Sequence, residues 1–139
     1  MDKYISRKAA ANIVLIILSV IVLFHLLVVA GVIPYSIVWG GRITDREEML
    51  QLEAVSNGVN LLLIALVSIY AGYLSVRIPM LVLKVVLWLM VTLFAFNTLG
   101  NLLSESTFEK IVFTPLTLLL SLLSLRLALD KTDTKVQIR

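Results

Sequence analysis

The chain has 139 residues, 60% of them hydrophobic and 15% charged, with a mean hydropathy of +1.01; an ordinary soluble domain is about half apolar and about a quarter charged. This composition predicts an all-α integral membrane protein and excludes a soluble globular enzyme, and the length leaves room for four spans of about 20 residues with their connections but not for five. With no cysteine in the sequence, disulfide exchange, thiolate catalysis, zinc–thiolate sites and iron–sulfur ligation are excluded together.

The first hydrophobic run extends over 9–33, interrupted only by Asn12, Ser19 and His25 and closed by Pro34. It is far longer than the apolar core of a signal peptide, so it reads as a mature helix. The segment 34–53 follows, and its first part, Pro34-Tyr-Ser-Ile-Val-Trp-Gly-Gly41, is too apolar for a free loop and too short for a span. It is expected along the outer interface or folded partly back over the bundle. Spans two, three and four are expected at 54–74, 80–99 and 111–129, with a tail at 130–139. All belong to a single transmembrane domain, an antiparallel four-helix bundle.

Punctuation refines these limits. Thr44–Glu47 and Ser106–Glu109 have the capping-box pattern, so helices two and four are expected to start there. Pro79 suits the first position of helix three, and Gly100 suits a left-handed cap at its end. Pro115 predicts a mild kink near the membrane surface.

Orientation follows from the basic residues, because short basic segments stay cytoplasmic. With both termini on one side, that side holds Lys3, Arg7, Lys8, Arg77, Lys84, Arg126, Lys131, Lys135 and Arg139, against Arg42, Arg46 and Lys110 opposite. Six of the nine acids, Asp45, Glu47, Glu48, Glu53, Glu105 and Glu109, lie on the poorer side. Both termini are therefore expected in the cytoplasm, across an inner cell membrane. Tyr35 and Trp39 mark the outer interface, Tyr4, Tyr70 and Tyr73 the inner one, and Lys84 is expected to snorkel inward as an anchor.

A polar side chain in lipid is costly unless it faces protein or water, which makes its position informative. Glu53, Asn57 and Asn60 share one stripe of helix two, Asn97 and Asn101 one face of helix three, and Thr114, Thr117, Ser121 and Ser124 one face of helix four. By helical rise, His25 and Asn60 both lie about 10 Å inside the outer boundary. The ligand-binding candidates are accordingly His25, Glu53, Asn57, Asn60, Asn97, Asn101 and Thr114, lining an outward-facing cavity whose inner half is closed by Leu, Val, Ile and Trp88. Thr117, Ser121 and Ser124 read as a helix-packing seam. Two phrases, 34–42 and 108–117, stand out as signature-like against the aliphatic background.

No phosphate-binding loop, zinc-protease motif or nucleophile–His–acid set occurs, one His with scattered Asn and Glu is too few ligands for a metal, and no cofactor is expected. Nor is there a basic aromatic-studded surface for nucleic acid. The expected function is the binding or movement of a small amphipathic ligand or solute, with membrane lipid as the surrounding partner. The alternative is a non-catalytic structural or regulatory subunit whose polar residues are interhelical contacts and whose outer face meets a partner protein or a second copy. A membrane enzyme using His25 and Glu53 as acid and base is a further alternative.

Overall fold

The computed structural model describes residues 5–131, and Asp2, Lys3, Tyr4, Thr132, Asp133, Lys135 and Arg139, with most of the expected tail, lie outside them. Four helices carry the fold: α1 Arg7–Val29, α2 Arg46–Tyr70, α3 Met80–Leu102 and α4 Thr114–Ala128, the last preceded by a π-helical turn at Glu109–Phe113. Each of the first three, and α4 taken together with its π-helical turn as Glu109–Ala128, is long and apolar enough to cross a membrane, and the described residues contain no strand. Two short 3-10 turns, Tyr35–Ile37 and Trp39–Gly41, lie between α1 and α2.

The helix ends follow from local chemistry. Both α1 and α2 stop four residues before the ends of their hydrophobic runs, and for the same reason. Gly31 (φ 77°) and Gly72 (φ 83°) take the left-handed conformation just past each helix. Val32 N–H then donates to Leu27 O and Gly31 N–H to Val28 O, and Tyr73 and Gly72 repeat the pattern on Ser68 O and Ile69 O. These paired bonds satisfy the last helical carbonyls. Gly100, expected in that role, instead lies inside α3, which continues to Leu102.

Helix starts shift by one residue or change partners. Asp45, not Thr44, caps α2, its carboxyl accepting from Glu48 N–H at 2.8 Å. Pro79 stands just before α3 rather than within it. Ser106 Oγ accepts from Glu109 N–H, but the Glu109 side chain does not return the bond, since Ser106 N–H donates to Ser104 Oγ. At Pro115 the ring nitrogen has no hydrogen to give to Ile111 O, four residues back, and the wide π turn sits directly before it.

Helices α1 and α2 pack side by side, as do α3 and α4, and α1 also lies against α4, whereas α2 and α3 scarcely touch. Consecutive helices are antiparallel: Arg7, at the start of α1, donates to Tyr70 O at the end of α2, and Lys84, early in α3, reaches the end of α4. The core joins Val14 and Leu18 of α1, Val67 of α2, Leu87 and Met90 of α3, and Leu120 and Leu127 of α4. Helix α4 is the most buried of the four. Outside, Ile16, Leu23, Leu62, Leu81, Leu89, Phe96 and Ile111 are each more than half exposed, an apolar belt far larger than a water-soluble monomer presents.

At the end shared by the start of α1 and the end of α4, cations close the bundle. Lys84 Nζ donates to Leu127 O, Ala128 O and Asp130 O at 2.7–3.2 Å, Arg126 Nε donates to Ile5 O, and the Arg7 guanidinium sits over the Tyr70 ring. Lys84 thus caps the carbonyl end of a neighbouring helix, where a positive charge is favoured, instead of extending towards headgroups.

Candidate functional site: a cavity beneath a folded-back strap

Residues 34–41 fold across the opposite end of the bundle. Val38 is buried with Val28, Ile43 and Met49 in a small second core. The strap is tied to the turn before α4: Ser106 Oγ donates to Ile37 O at 2.7 Å, Glu105 N–H to Gly40 O at 3.2 Å, and Gly40 N–H to Glu109 Oε2 at 2.9 Å. Ser104 Oγ donates to the same Glu109 oxygen. The two signature-like phrases are therefore in direct contact. Trp39 holds φ 55°, a left-handed conformation costly for a bulky residue, and Gly40 and Gly41 continue it.

What fixes Trp39 is Glu53. This carboxyl is fully buried, accepting from Trp39 Nε1–H at 2.9 Å through Oε1 and meeting His25 Nδ1 at 2.7 Å through Oε2. The other imidazole nitrogen, Nε2, lies 3.2 Å from Ser56 Oγ, whose hydroxyl serves equally as donor or acceptor. One carboxyl thus links α1, α2 and the strap, and leaves neither of its oxygens unmatched.

Beside this chain of bonds is a cavity of about 320 Å³, at the small end of the range for ligand sites. Every helix contributes: Phe24 and His25 from α1, Ser56 and Asn60 from α2, Phe94, Phe96, Asn97, Gly100 and Asn101 from α3, Glu109, Phe113 and Thr117 from the last helical stretch, with Trp39 and Gly40 above. Phe24 stacks on Phe108 and meets Phe113 edge-on at 5.0 Å. Three of the wall residues, Phe96, Asn97 and Gly100, are exposed, Phe96 by 68%. These three share the wall with Ser56 and Asn60 of α2, a helix that α3 scarcely touches, which leaves the cavity open on that side.

The sequence candidates divide. His25, Asn60, Asn97 and Asn101 line the cavity, whereas Glu53, Asn57 and Thr114 do not. Glu53 lies behind His25. Asn57 turns its amide back to Glu53 O at 2.9 Å, and both Asn57 Oδ1 and Thr114 Oγ1 are buried without a hydrogen bond. Of the expected seam, Ser121 donates to Val91 O at 2.9 Å across the α3–α4 contact and Ser124 is fully buried there. Thr117 both packs and lines the cavity, accepting from Thr98 Oγ1 at 3.0 Å and from Asn101 Nδ2 at 3.3 Å. Trp88, expected to close the inner half, is 47% exposed on the outside; the walls there are Ile21 and Phe94.

Four participants escaped the sequence reading. Ser56 had a signal, since 53, 56, 57 and 60 form one complete helical face. Thr98 had one as well, standing beside Asn97 and Asn101 on helix three, whereas the roles of Trp39 and Glu109 depend on where the strap comes to rest. Among the described residues no group of three or more His, Asp or Glu is placed to hold a metal ion. No protein-family model, curated protein or solved structure matches the chain.

Proposed function

We propose that this chain is a multi-pass inner-membrane protein that binds, and in its cell moves or presents, a small amphipathic molecule held in the cavity under the strap. The observation that carries the reading is a space of about 320 Å³ whose wall alternates amides and hydroxyls with phenyl rings, drawn from all four helices. A ligand with one polar and one apolar end suits such a wall. The excess of Lys and Arg at the end bearing Arg7, Arg77, Lys84 and Arg126 supports cytoplasmic termini and, with them, a strap on the outer side.

The binding reading is tested by native mass spectrometry of the protein extracted in mild detergent. The expected result is one retained amphiphile, lost in Asn97→Trp, which fills the mouth from an exposed position, with the melting temperature unchanged. Equal occupancy in both proteins, or none in either, would overturn it. Orientation is tested with Thr107→Cys and Ser75→Cys, exposed residues at opposite ends, which should label from opposite sides of intact cells.

A second reading, a structural or regulatory subunit without a ligand, is favoured by one specific observation: the bonds among His25, Glu53, Trp39 and Ser56, and among Thr98, Thr117 and Asn101, are internal to the protein. Acid–base catalysis by His25 and Glu53 has less support, since Glu53 has no exposed surface on which to meet a substrate.

A further inference from the structure

The cavity wall has a chemical bias. Asn60, more than nine-tenths buried, anchors its Nδ2 on Ser56 O at 2.8 Å, which fixes which end is which and leaves Oδ1 without a hydrogen bond. Glu109, also more than nine-tenths buried, accepts from both Gly40 N–H and Ser104 Oγ through Oε2, leaving Oε1 unbonded. Neither free oxygen is sealed from solvent, since among the described residues neither is one of the buried side-chain atoms that lack a hydrogen bond, such as Asn57 Oδ1 and Thr114 Oγ1, and both residues line the cavity. Asn101 likewise commits Nδ2 to Thr117 and keeps its carbonyl oxygen. Beside the amide of Asn97, which can both donate and accept, the wall thus offers three further groups as acceptors.

Its electrostatics point the same way. One carboxyl, Glu109, is in the wall and a second, Glu53, is directly behind His25, while among the described residues no Lys or Arg lines the space. An anionic head would meet carboxyls and unpaired acceptors, which is unfavourable in a low dielectric. A head that donates hydrogen bonds and carries positive charge is matched by Glu109 and Asn60, and by the faces of Phe24, Phe113 and Trp39, which attract cations. The volume of about 320 Å³ holds a head and a short stretch of chain, and the open side between α2 and α3 leads the rest of a longer chain out into surrounding apolar medium. We propose that the cavity selects a single-chain amphiphile with a primary ammonium head, taken in laterally between α2 and α3. This rests on the binding reading above and narrows its ligand.

Two tryptophans make the test internal. Trp39 lines the cavity, and Trp88 lies exposed on the apolar exterior. Single-tryptophan proteins, Trp88→Phe reporting Trp39 and Trp39→Phe reporting Trp88, are placed in nanodiscs of zwitterionic lipid. Each is titrated with alkyl chains of equal length, brominated at the same carbon, bearing ammonium, maltoside or phosphate heads. Quenching of Trp88 measures partition into the bilayer, and quenching of Trp39 beyond it measures site occupancy. The expected result is half-quenching of Trp39 by the ammonium probe at about tenfold lower concentration than by the phosphate probe, after correction by Trp88. Both Glu109→Gln and Asn60→Leu should reduce that preference to about threefold or less. If all three heads quench Trp39 equally and beyond Trp88, or phosphate is preferred, the ammonium assignment falls while the binding reading stands. If Trp39 quenching never exceeds that of Trp88, the binding reading itself falls. A preference unchanged in both variants removes the assignment to these acceptors.

Discussion

The two ends of the bundle treat buried polar groups in opposite ways. Where α1 begins and α4 finishes, cations and a tyrosine donate to main-chain carbonyls: Arg7 to Tyr70 O, Lys84 to three carbonyls after Ser124, Tyr70 Oη to Leu127 O. Helix termini supply those acceptors in fixed directions, so the side chains draw the helices together. At the strap end the buried groups are carboxyls, and their donors come from a ring nitrogen, an indole and an irregular backbone. Such partners hold a loop in place over the bundle without pulling the helices shut, and the cavity lies there. The contrast teaches that buried cations can use the carbonyls at helix ends, whereas a buried carboxyl must find donors elsewhere, in a strap at one end and in Arg126 for Asp130 at the other.

Substitutions sharpen the comparison. Glu53→Leu should have the largest effect, about 3–5 kcal/mol of lost stability, because two buried donors, His25 Nδ1–H and Trp39 Nε1–H, lose their acceptor together. Thermal unfolding in detergent measures it, and the double variant with His25→Leu should be more stable than Glu53→Leu alone. If Glu53→Leu were neutral, the strap end would not depend on its carboxyl and the contrast would fail. At the closed end Lys84→Met should cost about 2 kcal/mol, since the carbonyls it caps lose charged donors, while leaving occupancy of the cavity unchanged. Gly40→Ala should cost about 1 kcal/mol: a Cβ meets nothing closer than the Arg42 side chain at 3.7 Å, so the penalty is that of φ 76° alone.

The smallest effect is the most discriminating. Gly58 and Gly100 both lie within helices with open space where a Cβ would go. Changing either to Ala should raise stability by about 0.5–1 kcal/mol through helix propensity. Only Gly100→Ala should also weaken amphiphile binding, because Gly100 alone of the two lines the cavity.

Much of this was legible in the chain. Hydropathy alone located the four helices, because nothing in the sequence competes with an apolar run of that length. Yet it overshot α1 and α2, since Val32, Ile33 and Leu74 are apolar but follow a glycine that turns the backbone. Periodicity placed Asn60, Asn97 and Asn101 on one cavity because side chains on a helical face share a direction. The same rule misled at Asn57, which occupies that face but bonds its own helix. The strap was legible only in part: a run of Tyr, Ile, Val and Trp too short to span gave folding back over the bundle as one of two expectations, but not the turn before α4 to which it is tied. Glu109 read as a capping residue for the same reason: the competing donor, Gly40 N–H, is 69 positions away along the chain.

The wide turn at Glu109–Phe113 has a consequence for how the last helix tolerates change. A π turn carries an additional residue relative to the α pattern, so residues before it are out of phase with those after it. Thr117, Ser121 and Ser124 keep their register with α3 by belonging wholly to the regular stretch, and Glu109 is aimed at the strap by belonging to the irregular one. The turn therefore works as a clutch between two gears. A one-residue deletion inside it can be absorbed by tightening to an ordinary helical turn, which would rotate Glu109 away from Gly40 while leaving the α3–α4 seam engaged.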